Sequence, residues 1–156
     1  MRALFATDRT SNILFAQRVV LGFVVLMHGL QKALGLFGGY GFTGTMSFFT
    51  DTIGLPAAIA FLAIFAETAG SLALIAGFLT RVSAAGIGVV LAGAVVTVHA
   101  KVGFFMNWFG NQPGEGVEYF ILAFALLVPL LAKGGGRHAV DSMVEDALAA
   151  SAALSG

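Results

Sequence analysis

LPAAIAFLAIFAETAGSLALIAGFL, residues 55–79, decides the fold. The run exceeds the roughly 20 apolar residues that a membrane-crossing helix needs, and its one ionisable side chain, Glu67, falls near the middle. Pro56 is tolerated in the first turn of such a helix, while Gly77 and the Thr80-Arg81 pair mark a tight turn at its end. Ala63, Gly70, Ser71, Leu74 and Gly77 share the helical face of Glu67. A face of such small residues belongs against other helices rather than against lipid, so Glu67 is expected to point inward. A buried carboxylate must be paired, hydrogen-bonded or protonated.

Working outward, three more apolar stretches have comparable length: about Asn12 to Lys32, Val82 to His99, and Val117 to Ala132. Gly134-Gly135-Gly136 ends the last of them. The reading is an all-α integral membrane four-helix bundle, a single domain over residues 1–156, with helices at about 12–32, 55–79, 82–99 and 117–132. The composition agrees. The chain is 58% hydrophobic and 10% charged, against about 45–50% and about 25% in soluble domains, and its mean hydropathy is +0.94. So few charged groups could not coat a soluble protein of this size, whereas lipid tolerates such a surface. Zero net charge and the lack of a basic run exclude nucleic acid, and the lack of cysteine excludes disulfides, thiolate metal sites and a thiol relay. The first apolar stretch is too long for a signal-peptide core and has no small-x-small cleavage site, so it is expected to be retained.

Two long connections are rich in aromatics. Leu34 to Ile53 carries Phe37, Tyr40 and Phe42, and its part from Thr43 to Thr52 is expected to form a short interfacial helix. Lys101 to Gly116 carries Phe104, Phe105, Trp108 and Phe109. Aromatics at span ends suit the membrane interface. With four spans, Arg2, Arg9, Arg18, Arg81, Lys133 and Arg137 fall on one side, and only Lys32 and Lys101 on the other. The positive-inside rule then puts both termini in the cytoplasm. A tail at about 138–152 shows helical spacing of Val140, Met143, Val144, Ala147 and Leu148, with Asp141, Glu145 and Asp146 mostly opposite.

Ionisable groups within spans are costly, which makes them functional candidates. Arg18 or His28 on the first helix would partner Glu67, with an Arg18–Glu67 ion pair as one expectation. Alternate threading brings His28, Lys32, His99 and Glu118 to one outer boundary. With Glu67 below, they form a candidate quinone or proton-relay site. A polar collar that merely fixes helix packing is the competing reading. No HxxxH or ExxH spacing supports a metal site.

The chain resembles the DoxX family of small bacterial membrane proteins. The resemblance rests on Arg18 to Phe23, His28-Gly-Leu-Gln-Lys32, Phe37 to Gly44, Glu67 to Gly77, and Leu79-Thr-Arg81. It continues through His99 with Gly103-Phe-Phe105, Glu118-Tyr119, and Gly134-Gly-Gly-Arg137 with Asp141. The serine usual before the closing aspartate is missing from His138-Ala-Val-Asp141. The resemblance implies a four-helix bundle in the bacterial inner membrane and a link to redox chemistry. The family's namesake looks like a small subunit of a thiosulfate:quinone oxidoreductase, and other members are associated with oxidative-stress proteins. It therefore implies a quinone as the cofactor and a redox or oxidative-stress protein as a partner, beside the lipid bilayer. A non-catalytic scaffold that docks partner proteins is the alternative, and a small-solute transporter is a third reading, disfavoured by the lack of an obvious repeat.

Overall fold

The computed structural model describes residues 2–154, and every regular element among them is helical. Helix α1 (Arg2–Phe5) is short. Helix α2 (Asn12–Leu34) starts at Ser11, whose Oγ accepts the Leu14 N–H at 3.2 Å, and stops at Gly35 in the left-handed region (φ 72°). Helix α3 (Gly41–Ser47) continues into a π-turn at Phe48–Thr52. Helix α4 (Ala57–Ala76) contains a second π-turn at Ala66–Gly70. Helix α5 (Thr80–Thr97) is followed by a 3-10 turn at His99–Lys101, and α6 (Glu118–Lys133) and α7 (Val140–Leu154) complete the chain.

The ends of α4 and α5 differ from the sequence reading for local reasons. Pro56 is the extended N-cap residue of α4, so the helix begins at Ala57, and left-handed Gly77 (φ 72°) ends it at Ala76 rather than Leu79. Helix α5 begins at Thr80 because a distant residue caps it. The Asp141 carboxylate accepts the Leu79 N–H at 2.6 Å and the Thr80 N–H at 2.9 Å. These are donors that the start of a helix otherwise leaves unpaired.

Among the described residues, three segments are long and apolar enough to cross a membrane: Asn12–Leu34, Ala57–Ala76 and Thr80–Lys101. Helix α6 has 16 residues and rises only about 24 Å, against a hydrocarbon core of about 30 Å. Helix α2 packs on the second half of α4 and on α6, while α5 packs on α6 and on the α4 π-turn. Leu21, Val25, Leu74, Ile87, Leu127 and Leu130 fill the interior. The outside is equally apolar: Val89 is 74% and Val96 72% exposed on α5, and Phe23, Leu62 and Phe65 are also exposed. A molecule apolar on both its inside and its outside is suited to a lipid environment.

The two terminal segments meet at one end of the molecule. Arg18 is 1% exposed, yet among the described residues no carboxylate bonds it. Its guanidinium donates to the carbonyls of Leu74 (3.3 Å) and Ile75 at the C-terminus of α4. It also donates to Gly135 (2.8 Å), Arg137 (3.3 Å) and His138 (3.0 Å) after α6. The last carbonyls of a helix are unpaired and partly negative, which makes them a suitable counter-charge. The expected Arg18–Glu67 ion pair is therefore corrected: Arg18 sits at the opposite end of α2 from Lys32, where carbonyls consume its donors. Beside it, Arg9 pairs with Glu145 (2.9 Å) and Asp146 (2.8 Å) of α7. The Arg9 guanidinium holds the Asp146 carboxyl below the usual carboxylate range.

Candidate functional site

The π-turn of α4 is where the site is built. An extra residue in the helical turn changes the direction of the side chains around it, and such bulges gather at functional positions. Here the bulge carries Glu67, and α2 lies against it with backbone nearly touching backbone. A Cβ placed on Gly29 would lie 2.6 Å from the Glu67 carbonyl oxygen. Only a residue without a side chain permits this approach, and it brings the last turn of α2 over Glu67.

The partner of Glu67 is Lys32. Its Nζ donates to Glu67 Oε2 at 2.5 Å. The Glu67 side chain is 7% exposed and that of Lys32 27%. The first helix does supply the partner, but the residue is Lys32, rather than the Arg18 or His28 expected. Lysine at the end of α2 has a long enough stem to bring a cation down to the bulge. Glu67 Oε1 accepts no hydrogen bond among the described residues, and only one of the three Nζ hydrogens is used.

Lys32, Glu67 and His99 line one cavity of about 920 Å³ between α4 and α5. The rest of its lining is almost entirely apolar. Ile59, Ala63 and Ala73 come from α4 and Val82, Gly86 and Val90 from α5, while Phe48, Phe49 and Ile53 also line it. The cavity runs from Val82 to Thr97, which is about 22 Å at about 1.5 Å per residue. Its volume falls in the range of small-molecule sites. The π-turn segment from Phe48 to Ile53 thus contributes to the site.

The other candidates are placed differently. His99 Nδ1 donates to the Glu115 carbonyl at 2.8 Å, and its ring lies 4.5 Å from that of Phe120. In the Nδ1–H tautomer Nε2 is an acceptor. His28 does not line the cavity. It is exposed on α2, with its ring 6.1 Å from that of Tyr119. Tyr119 Oη is buried without a hydrogen-bond partner among the described residues. Glu118 is turned to the loop, where its carboxylate accepts the Met106 N–H at 3.1 Å. His28, His99 and Glu118 therefore do not share a single pocket, because the backbone of the 103–117 loop needs the Glu118 carboxylate. Of the cavity's glycines, the sequence reading singles out Gly70 as a packing residue and passes over Gly86 and Gly93. Gly86 and Gly93, seven residues apart on α5, carried the signal, but helix packing uses the same spacing.

Comparison with known proteins adds the following. A family model described as DoxX matches residues 13–100, which contain Lys32, Glu67 and His99. A Bacillus subtilis (strain 168) protein named "Putative oxidoreductase CatD" is 33% identical over 90 residues, covering 58% of this chain and 62% of that protein. The match thus spans less than two thirds of the relative's length. No solved structure matches the chain.

Proposed function

The chain belongs to the DoxX family, and from that premise we propose that it is a four-helix, multi-pass protein of the bacterial inner membrane that serves membrane redox chemistry by binding a quinone. In this reading α2, α4, α5 and α6 all cross the bilayer, and the 103–117 loop makes up for the shortness of α6. Both termini are cytoplasmic, on the side of Arg9, Arg18, Arg81, Lys133 and Arg137. The aromatic connections face outward.

The observation that carries the reading is a paired lysine and glutamate on the wall of an otherwise apolar cavity. A few polar groups set in a long apolar space suit a lipid-soluble molecule with a polar head. The name of the Bacillus relative supports a redox setting. The chain has no cysteine, so electrons would come from a protein partner. Within the site, Lys32 donates to the head-group oxygen, and Glu67 or the Nε2 of His99 accepts from the hydroxyl of the reduced head. The test is gentle purification followed by extraction of bound lipid. The expected outcome is a quinone at near one per chain, lost in Lys32→Met. Phospholipid alone would overturn the reading in favour of a scaffold that docks partner proteins.

A further inference from the structure

We propose that the cavity between α4 and α5 takes a neutral, long-tailed quinol from the side, out of the bilayer, and that the Lys32–Glu67 pair selects the reduced head over the oxidised one. This rests on the quinone-binding reading above and specifies its redox form and its route.

The selectivity follows from the hydrogen-bond inventory. Glu67 and Lys32 together carry no net charge, so an anionic phosphate head would lose on the carboxylate what it gained on the ammonium. A neutral head matches the pair better. The pair lines the cavity, and among the described residues Glu67 Oε1 and two of the Lys32 Nζ hydrogens have no partner. A quinol hydroxyl donates to the first and accepts from the second. A quinone carbonyl only accepts, so it uses Lys32 but leaves Oε1 unpaired beside its own lone pairs. Hydrogen bonds to charged groups are the stronger class, so the difference should be about 10–100-fold in affinity.

The route follows from the floor of the cavity. Gly70 of α4 and Gly93 of α5 both line it, and a Cβ added at either would meet nothing within 4 Å. The space beside them is therefore open, unlike the crowded space at Gly29. The flanking Leu62, Phe65 and Val89 are exposed on the outer surface, so the cavity opens towards lipid rather than towards water. An apolar tail lying along this floor continues the acyl region of the bilayer.

The experiment uses the full chain in nanodiscs with decyl-ubiquinol, decyl-ubiquinone and their methyl-tailed counterparts. Wild type is expected to bind the decyl quinol 10–100-fold more tightly than the decyl quinone. Glu67→Gln offers an amide N–H to a carbonyl and is expected to shrink the preference below about threefold. Gly93→Leu and Gly70→Leu fill open space and are expected to fold. They should weaken both decyl ligands at least tenfold and leave the methyl-tailed ones unchanged, with Gly93→Ala as the folding control. Equal or tighter binding of the quinone by wild type overturns the selectivity. Unchanged decyl binding in both leucine variants overturns the lateral route while leaving quinone binding itself standing. A change of oligomeric state in the leucine variants assigns the cavity to a second copy of the chain and overturns the proposal. No binding of any of the ligands by wild type overturns the functional reading and the proposal together.

Discussion

Lys32→Met isolates the energetic role of the pair at the bulge. The substitution keeps an unbranched apolar stem of similar length and removes only the cation, leaving Glu67 with 7% of its side chain exposed and no partner. Removing one member of a buried pair costs about 3–5 kcal/mol, because the other charge is left desolvated. Lys32 is itself 27% exposed, so water reaches part of the site and the lower end of that range applies. A loss of about 3 kcal/mol corresponds to about 6–12 °C at about 2–4 °C per kcal/mol for a chain of this size. The assay is thermal unfolding in a mild detergent, followed by tryptophan fluorescence and size exclusion. Glu67→Ala should fall by a similar amount and Glu67→Gln by less, since an amide keeps hydrogen bonds. The decisive variant is Lys32→Met with Glu67→Leu. Replacing both charges with apolar groups is often neutral or stabilising, so the double variant should recover to within about 1 kcal/mol of wild type while failing to bind quinol. If Lys32→Met melts with the wild type, or the double variant is worse than either single one, the pair is not the buried interaction described above.

Arg18→Lys should cost about 3 kcal/mol despite keeping the charge, since an ammonium cannot reach carbonyls on both α4 and the 135–138 segment and each buried unpaired carbonyl costs about 1–3 kcal/mol. Asp141→Ala should cost about 1–2 kcal/mol as a lost helix cap, and hydrogen exchange should accelerate at the Leu79 and Thr80 amides first. Gly29→Ala should destabilise by about 1–3 kcal/mol through overpacking on the Glu67 backbone, in contrast to Gly93→Ala, which should be neutral or stabilising in the same melting assay. Docking of α7 should depend on pH and salt. The folded Asp146 carboxyl titrates below its ordinary value because of Arg9, so its contribution is complete above the ordinary carboxylate pKa and is lost as pH falls through the lowered one. Hydrogen exchange of α7 should rise on acidification below about pH 4 and in high salt, and Arg9→Ala should abolish that dependence.

The helical class and the apolar exterior were legible in the sequence because both are properties of composition and period. Long apolar runs with one or two charges leave a helix in lipid as the answer, and Gly35, Pro56 and Gly77 punctuate the runs by their own backbone preferences. That Glu67 faces inward was legible too, from the small residues that share its face. Its partner was not. Spacing puts Arg18, His28 and Lys32 all on the helix that meets Glu67, and choosing among them requires the axial offset between α2 and α4. That offset is set by the contact of Gly29 with the bulge and by carbonyls that claim Arg18 at the far end. The bulge itself is invisible to a 3.6-residue reading, since one extra residue in one turn leaves no compositional mark. The same holds for Glu118, which a depth argument places beside His99 and which the fold turns to the Met106 amide instead. The cavity is likewise a tertiary outcome. The sequence supplies glycines at Gly70, Gly86 and Gly93, but a glycine at a tight crossing and a glycine beside open space read alike along the chain. Only the placement of α4 against α5 makes one a packing contact and the other a floor.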